Sequence, residues 1–138
     1  MITIIMKSGN QKLMKRVLIV EDSGITVLHL QLLLEDNGIE VISNINYAEH
    51  VVETVRLESP DAIIMDVKLL GKLSGVEAAL EVRKFSDLPI IFLSGTVDNH
   101  SLAQIKEISN SYFFKKPFEP EALLSHLRGM HTPNKTLY

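Results

Sequence analysis

Apolar residues in this chain gather in short unbroken runs, and each run stops on polar or charged residues. Val17-Leu18-Ile19-Val20 gives way to Glu21-Asp22, Ala62-Ile63-Ile64-Met65 to Asp66, and Ile90-Ile91-Phe92-Leu93 to Ser94-Gly95-Thr96. A shorter run, Tyr112-Phe113-Phe114, leads to Lys115-Lys116-Pro117, and a weaker one spans Ile39 to Ser43. Continuous apolar runs of this length read as strands buried on both faces of a parallel sheet. Between them the period changes to that of helices. The spacing predicts a first helix capped by Ser23, with Ile25, Leu28, Leu32 and Leu33 on its inner face and Asn37-Gly38 at its end. A second runs from about Tyr47 to Glu58 on Ala48, Val51, Val52 and Val55, and stops at Ser59-Pro60. A third follows the loop Lys68 to Ser74, with Val76, Ala79 and Leu80 inward; a weaker fourth carries Leu102, Ile105 and Ile108. The last starts near Pro120 and buries Leu123, Leu124 and Leu127.

Five strands alternating with five helices give an α/β fold, a doubly wound parallel sheet with helices on both faces. The chain has 138 residues, which suits one domain with a real core. We expect that domain over residues 15–130, with a polar, turn-rich tail over 1–14 and a second tail over 131–138. At 46% hydrophobic and 22% charged, the composition is that of an ordinary globular protein. The net charge of -3 gives no general attraction to nucleic acid or to an anionic membrane. The absence of cysteine excludes disulfides, thiol catalysis and zinc–thiolate sites, and the expected location is the cytoplasm. The apolar opening Met1 to Met6 is too short to span a bilayer and lacks the charged start of a signal peptide.

In a parallel sheet all the carboxyl ends share one edge, where α/β folds bind their ligands. Glu21, Asp22, Asp66, Ser94 and Lys116 would then converge. Three carboxylates in one crevice repel each other, and a hard divalent cation with oxygen ligands relieves them; Mg²⁺ suits best, with Mn²⁺ able to take its place. Acids, a hydroxyl and a lysine suit a phosphoryl group better than an acyl or hydride substrate, because cation and lysine neutralise its oxygens while one carboxylate acts as nucleophile.

With these motifs in this order, the stretch from about Lys15 to Gly129 resembles the receiver domain of two-component response regulators. The resemblance implies a flavodoxin-like (βα)5 sheet in strand order 2-1-3-4-5. It implies that Asp66 accepts a phosphoryl group from a phosphohistidine on a sensor histidine kinase or phosphotransfer protein. Asp22, Asp66 and the backbone carbonyl of Lys68 would ligate Mg²⁺, and Glu21 would act through a bound water. Lys116 would pair with phosphoryl oxygens in preference to Lys115, which strand alternation sends to the other face. Ser94 would hydrogen-bond the phosphoryl group and, with Phe113 in the place of the aromatic switch, relay its presence. Lys68 and Thr96 take the positions that tune phosphoaspartate lifetime. The altered face, roughly Asp98 to Gly129, would meet a downstream protein or another copy of the chain. Glu21 stands where aspartate is commoner, and Leu70-Gly71 where many members have Pro-Gly, with Gly75 ending the longer of two usual loop lengths.

Such a chain is a switch that gains and loses a phosphoryl group, and not a turnover enzyme. No output domain is expected after Gly129, so it works as a stand-alone regulator or forms part of a longer protein. A phosphatase of the haloacid dehalogenase type would carry a second aspartate where Lys68 stands, and a flavin binder would carry a hydroxyl- and glycine-rich loop where Glu21-Asp22 stands. A pure interaction module would not need every reactive position filled. The five histidines, His29, His50, His100, His126 and His131, lack metal-ligand spacing and are expected at the surface. The glycines of the loop lack the lysine of a nucleotide-binding loop, and no nucleophile elbow is present.

Overall fold

The computed structural model describes residues 15–45, 47–69 and 72–129. The tails expected over 1–14 and 131–138, His131 and the Leu70-Gly71 substitution lie outside the described residues. Five strands, β1 (Arg16–Val20), β2 (Glu40–Ile45), β3 (Ala62–Asp66), β4 (Ile90–Ser94) and β5 (Ser111–Lys115), alternate with α1 (Gly24–Asp36), α2 (Val51–Glu58), α3 (Gly75–Arg83), α4 (Asn99–Glu107) and α5 (Pro120–Arg128). All pairings are parallel, in the order β2-β1-β3-β4-β5. The second strand starts one residue later and ends two later than its apolar run suggests, and a 3₁₀ turn, Ala48–His50, precedes α2.

Alternation along each strand divides the core in two. Leu18, Val20, Ile63, Met65, Ile90 and Phe92 face the layer of α2, α3 and α4, where they meet Val51, Val55, Val76, Ala79, Val82 and Ile105. Val17, Ile19, Ile64, Ile91 and Leu93 face α1 and α5, against Leu30, Leu34, Leu123, Leu124 and Leu127. Each fully buried Leu or Ile contributes roughly 1.5–3 kcal/mol relative to exposure, and this double layer fixes the sheet edge on which the polar exits lie. Among the described residues no helix is long and apolar enough to cross a membrane.

Helix α1 is capped by Ser23, which accepts the Thr26 N–H, and ends at Asn37 before Gly38 at φ 78. Its buried face, however, is Leu30 and Leu34, with Val27 and Leu33 partly covered. Three of the four residues expected inward point to solvent: Ile25 is 83% exposed, Leu28 58% and Leu32 54%. Apolar residues surround this helix, so periodicity offers two stripes, and the crossover from β1 to β2 selects the other one. Leu80 of α3 is likewise exposed, and Ala78 and Val82 take the inward positions beside Val76 and Ala79.

The histidines correct a second expectation. His126 is half-buried, edge-on to Tyr112 with ring centroids 4.3 Å apart and to Phe114 at 5.6 Å; its Nε2 is buried with no hydrogen-bond partner. His29 stacks on Phe118 at 5.4 Å. Burial lowers the His126 pKa, so the unfolded chain binds its proton more readily than the folded one. The stability this ring contributes is complete above its ordinary pKa and is lost as pH falls through the lower, folded value. Circular dichroism melts between pH 7 and 5 should show the wild type losing more stability than His126→Phe, which keeps the ring contacts; parallel slopes would show that the ring stays solvated.

Candidate functional site

Four strand ends build the site. At the end of β1 the Glu21 N–H donates to the Ile45 carbonyl, extending the ladder, and the Glu21 side chain turns into the crevice, where it is buried. Its Oε2 accepts the Ser23 N–H at 3.1 Å. Asp22 follows and is the most exposed of the three acids. Strand β3 ends on Asp66 itself, whose Oδ1 accepts the Lys68 N–H at 3.1 Å. Strand β4 ends on buried Ser94, and its Oγ donates to the Thr96 carbonyl at 2.7 Å. Past β5 the Lys116 N–H donates to the Ser94 carbonyl at 2.9 Å, and the peptide between Lys116 and Pro117 is cis.

Lys116 holds the acids together. Its Nζ donates to Glu21 Oε1 at 2.8 Å and to Asp66 Oδ2 at 3.2 Å, while Lys115 is exposed outside the site. Burial works against the Lys116 charge, yet the hydrogen bond to Glu21 and the charges of Asp66 and Glu21 outweigh it and hold the ammonium above its ordinary pKa. Burial pushes the Glu21 carboxyl up, against the hydrogen bonds from Lys116 and Ser23, and the Asp66 charge adds to the rise. One ammonium thus faces three carboxylates, and the balance stays negative.

Glu21, Asp22 and Asp66 each offer an oxygen within 4.8 Å of the others. An all-oxygen, charge-rich donor set of this size fits a hard divalent cation such as Mg²⁺ and not a soft one. Every side chain assigned to the site from the sequence is therefore brought to one edge, except Phe113. That ring lies back along β5 from the strand end, paired with Phe92 and packed half-buried against the α2–α4 layer. Lys68 and Thr96 meet: Lys68 Nζ donates to Thr96 Oγ1 at 3.4 Å.

Two structural roles escaped the sequence reading, those of Gly75 and Glu49. Gly75 opens α3, and its N–H donates to the Val67 carbonyl at 2.9 Å, so close beneath the strand exit that any Cβ would overlap the Asp66 carbonyl oxygen. Its glycine identity and its place after Ser74 were the available signal. Glu49 bonds backbone groups across a gap of 23 residues, and nothing local to Glu49 announces that.

The family model described as the response regulator receiver domain matches residues 17–128. Transcriptional regulatory protein YvrH of Bacillus subtilis is 30% identical over 82% of this chain and 47% of its own length. Transcriptional regulatory protein PdtaR of Mycobacterium tuberculosis is 28% identical over 80% and 53%. The chain thus spans about half the length of these curated relatives. In structure it resembles the signal receiver domain of a modulated diguanylate cyclase from Desulfovibrio desulfuricans, at a TM-score of 0.78 and 29% identity, covering 83% of this chain and 91% of that one.

Proposed function

This chain belongs to the response regulator receiver family of two-component systems, and from that premise we propose that Asp66 is its phosphoacceptor. The observation that carries the reading is the Lys116 ammonium shared between Glu21 and Asp66, beside a buried hydroxyl at the neighbouring strand end. A carboxylate oxygen of Asp66 attacks the phosphorus of a phosphohistidine; the P–N bond breaks, and the leaving imidazole takes up a proton. Lys116 stays beside the acceptor and takes charge from the incoming phosphoryl oxygens. Asp22, Asp66 and the Lys68 carbonyl would hold Mg²⁺, with Glu21 behind a bound water. When bound, the cation supplies positive charge to oxygens that Lys116 alone leaves uncompensated. The phosphoryl group is lost by hydrolysis: water attacks the phosphorus, the P–O bond to Asp66 breaks, and inorganic phosphate leaves the restored carboxylate.

Ser94 spends its hydroxyl proton on the Thr96 carbonyl, so turning toward a phosphoryl group costs it that bond and frees the segment after β4. Phe113, held by packing alone, follows, and the surface from Asp98 to Gly129 presents a different shape to a downstream protein or a second copy. The Lys68–Thr96 contact spans the mouth of the site and sets how readily water reaches the phosphoaspartate. The role is that of a switch, in a single receiver unit over residues 15–130, placed in the cytoplasm with its kinase or phosphotransfer partner. That partner docks beside the site on the exposed Ile25, Leu28 and Leu32 of α1, which begins just past Asp22. With a phosphotransfer protein that labels the wild type, Leu28→Glu should slow labelling by about tenfold or more, as loss of an interface anchor does. Labelling by acetyl phosphate should be unchanged; equal loss with both donors would show damage to the site itself.

Intact mass after incubation with acetyl phosphate, with Mg²⁺ and with a chelator, tests the reading. A single phosphoryl adduct that requires Mg²⁺ is expected, and a folded, Mg²⁺-binding protein that never gains one would overturn it.

A further inference from the structure

We propose that Glu49 is a positioning residue for the cation site, acting through the loop that follows β3. The inference rests on reading the Lys68 carbonyl as a Mg²⁺ ligand. That loop leaves the sheet at Val67 and returns at Ser74, where the Gly75 N–H closes its base on the Val67 carbonyl. Its outgoing limb is tied to the site itself, by the Lys68 N–H on Asp66 Oδ1 and by Lys68 Nζ on Thr96. Its returning limb is tied from outside. Glu49, in the 3₁₀ turn between β2 and α2, turns one carboxylate oxygen, Oε2, to the Lys72 N–H at 2.7 Å and the Leu73 N–H at 3.4 Å.

Two backbone donors on one carboxylate oxygen make a charge-assisted clamp, stronger than a neutral hydrogen bond and directional. The Lys72 N–H bond, first among its causes, keeps the Glu49 carboxyl below its ordinary pKa, so the clamp is charged at neutral pH. On the far side of the loop Lys68, Lys72 and Leu73 line an open cavity of about 290 Å³ shared with Asp98 and Ser101 of the α4 end. With the base closed by Gly75 and Lys72 and Leu73 held by Glu49, both described limbs of the span that carries the Lys68 carbonyl are tied down. Without Glu49 that span must be ordered when the cation binds, at a cost in affinity.

The experiment is a Mg²⁺ titration of the folded full chain, followed by the amide resonances of Val67 and Lys68, for wild type, Glu49→Ala and Glu49→Gln, with melting temperatures recorded in chelator. A wild type that does not bind Mg²⁺ would defeat the cation-site reading and this inference with it. If it binds, Glu49→Ala is expected to raise the Kd about 3- to 10-fold, below the 10–100-fold typical of groups that directly support a ligand, with the melting temperature in chelator little changed. Glu49→Gln keeps an acceptor oxygen for both N–H groups but loses the charge assistance, and its Kd should lie between those of wild type and Glu49→Ala. Wild-type affinity in Glu49→Ala overturns the inference. So does an equal loss in both variants, which would assign the effect to the carboxylate charge acting at a distance.

Discussion

Asp66→Asn, given acetyl phosphate and Mg²⁺, is expected to keep its unmodified mass while the wild type gains one phosphoryl group. The amide is a poor nucleophile, and the substitution also turns one of the three carboxylates that could hold a cation into a neutral amide. The same change should act oppositely on stability. With no cation added, Glu21, Asp22 and Asp66 repel one another around a single ammonium. Replacing one charge by an amide that still accepts from Lys116 relieves that repulsion, by on the order of 1 kcal/mol at a partly solvated site. Melting in chelator should therefore be higher for the variant, and the gain from added Mg²⁺ smaller. A phosphoryl adduct surviving in Asp66→Asn would move the acceptor to another residue and end the assignment.

Gly75→Ala should be the most damaging single methyl group among the residues around the site. The new Cβ would overlap the Asp66 carbonyl oxygen and come within 3.2 Å of Val67 Cα, and both neighbours are backbone with no side chain to swing aside. Helix α3 must lift from the strand exit, which loosens the Gly75–Val67 hydrogen bond and the packing of Val76 and Ala79 behind it. Overpacking of this kind costs about 3 kcal/mol, or a fall in melting temperature of roughly 10 °C for a domain of this size. Because the displaced atoms belong to Asp66 and Val67, Mg²⁺-dependent adduct formation should fall as well. A variant melting within a degree or two of wild type would mean that the helix slides freely over the strand end.

The sheet was legible because its strands are unbroken apolar runs, a pattern that buried parallel strands produce and amphipathic helices do not. The site was legible for a related reason: a charge such as Asp66 at the end of such a run has few structural uses, and four such exits in order leave little room for coincidence. The inner face of α1 was not legible. Val27, Leu28, Leu30, Leu32, Leu33 and Leu34 surround that helix, and only the crossover chooses between two apolar stripes. The surroundings of His126 were equally hidden, since they depend on Tyr112 and Phe114 arriving from β5. The Glu49 carboxylate meets backbone N–H groups distant along the chain, for which sequence carries no pattern, and Gly75 signals its close approach only by being a glycine after Ser74.

Lys116 lies 95 residues beyond Glu21 and 50 beyond Asp66 along the chain. A chain emerging from the ribosome therefore owns every acid of the crevice long before it owns their counter-ion. Until β5 has zipped against β4, the Lys116 ammonium does not stand beside Asp66, which waits among like charges. On the proposed reading, competence to be phosphorylated comes only with the finished sheet, because a nascent polypeptide that lacks β5 offers Asp66 without Lys116.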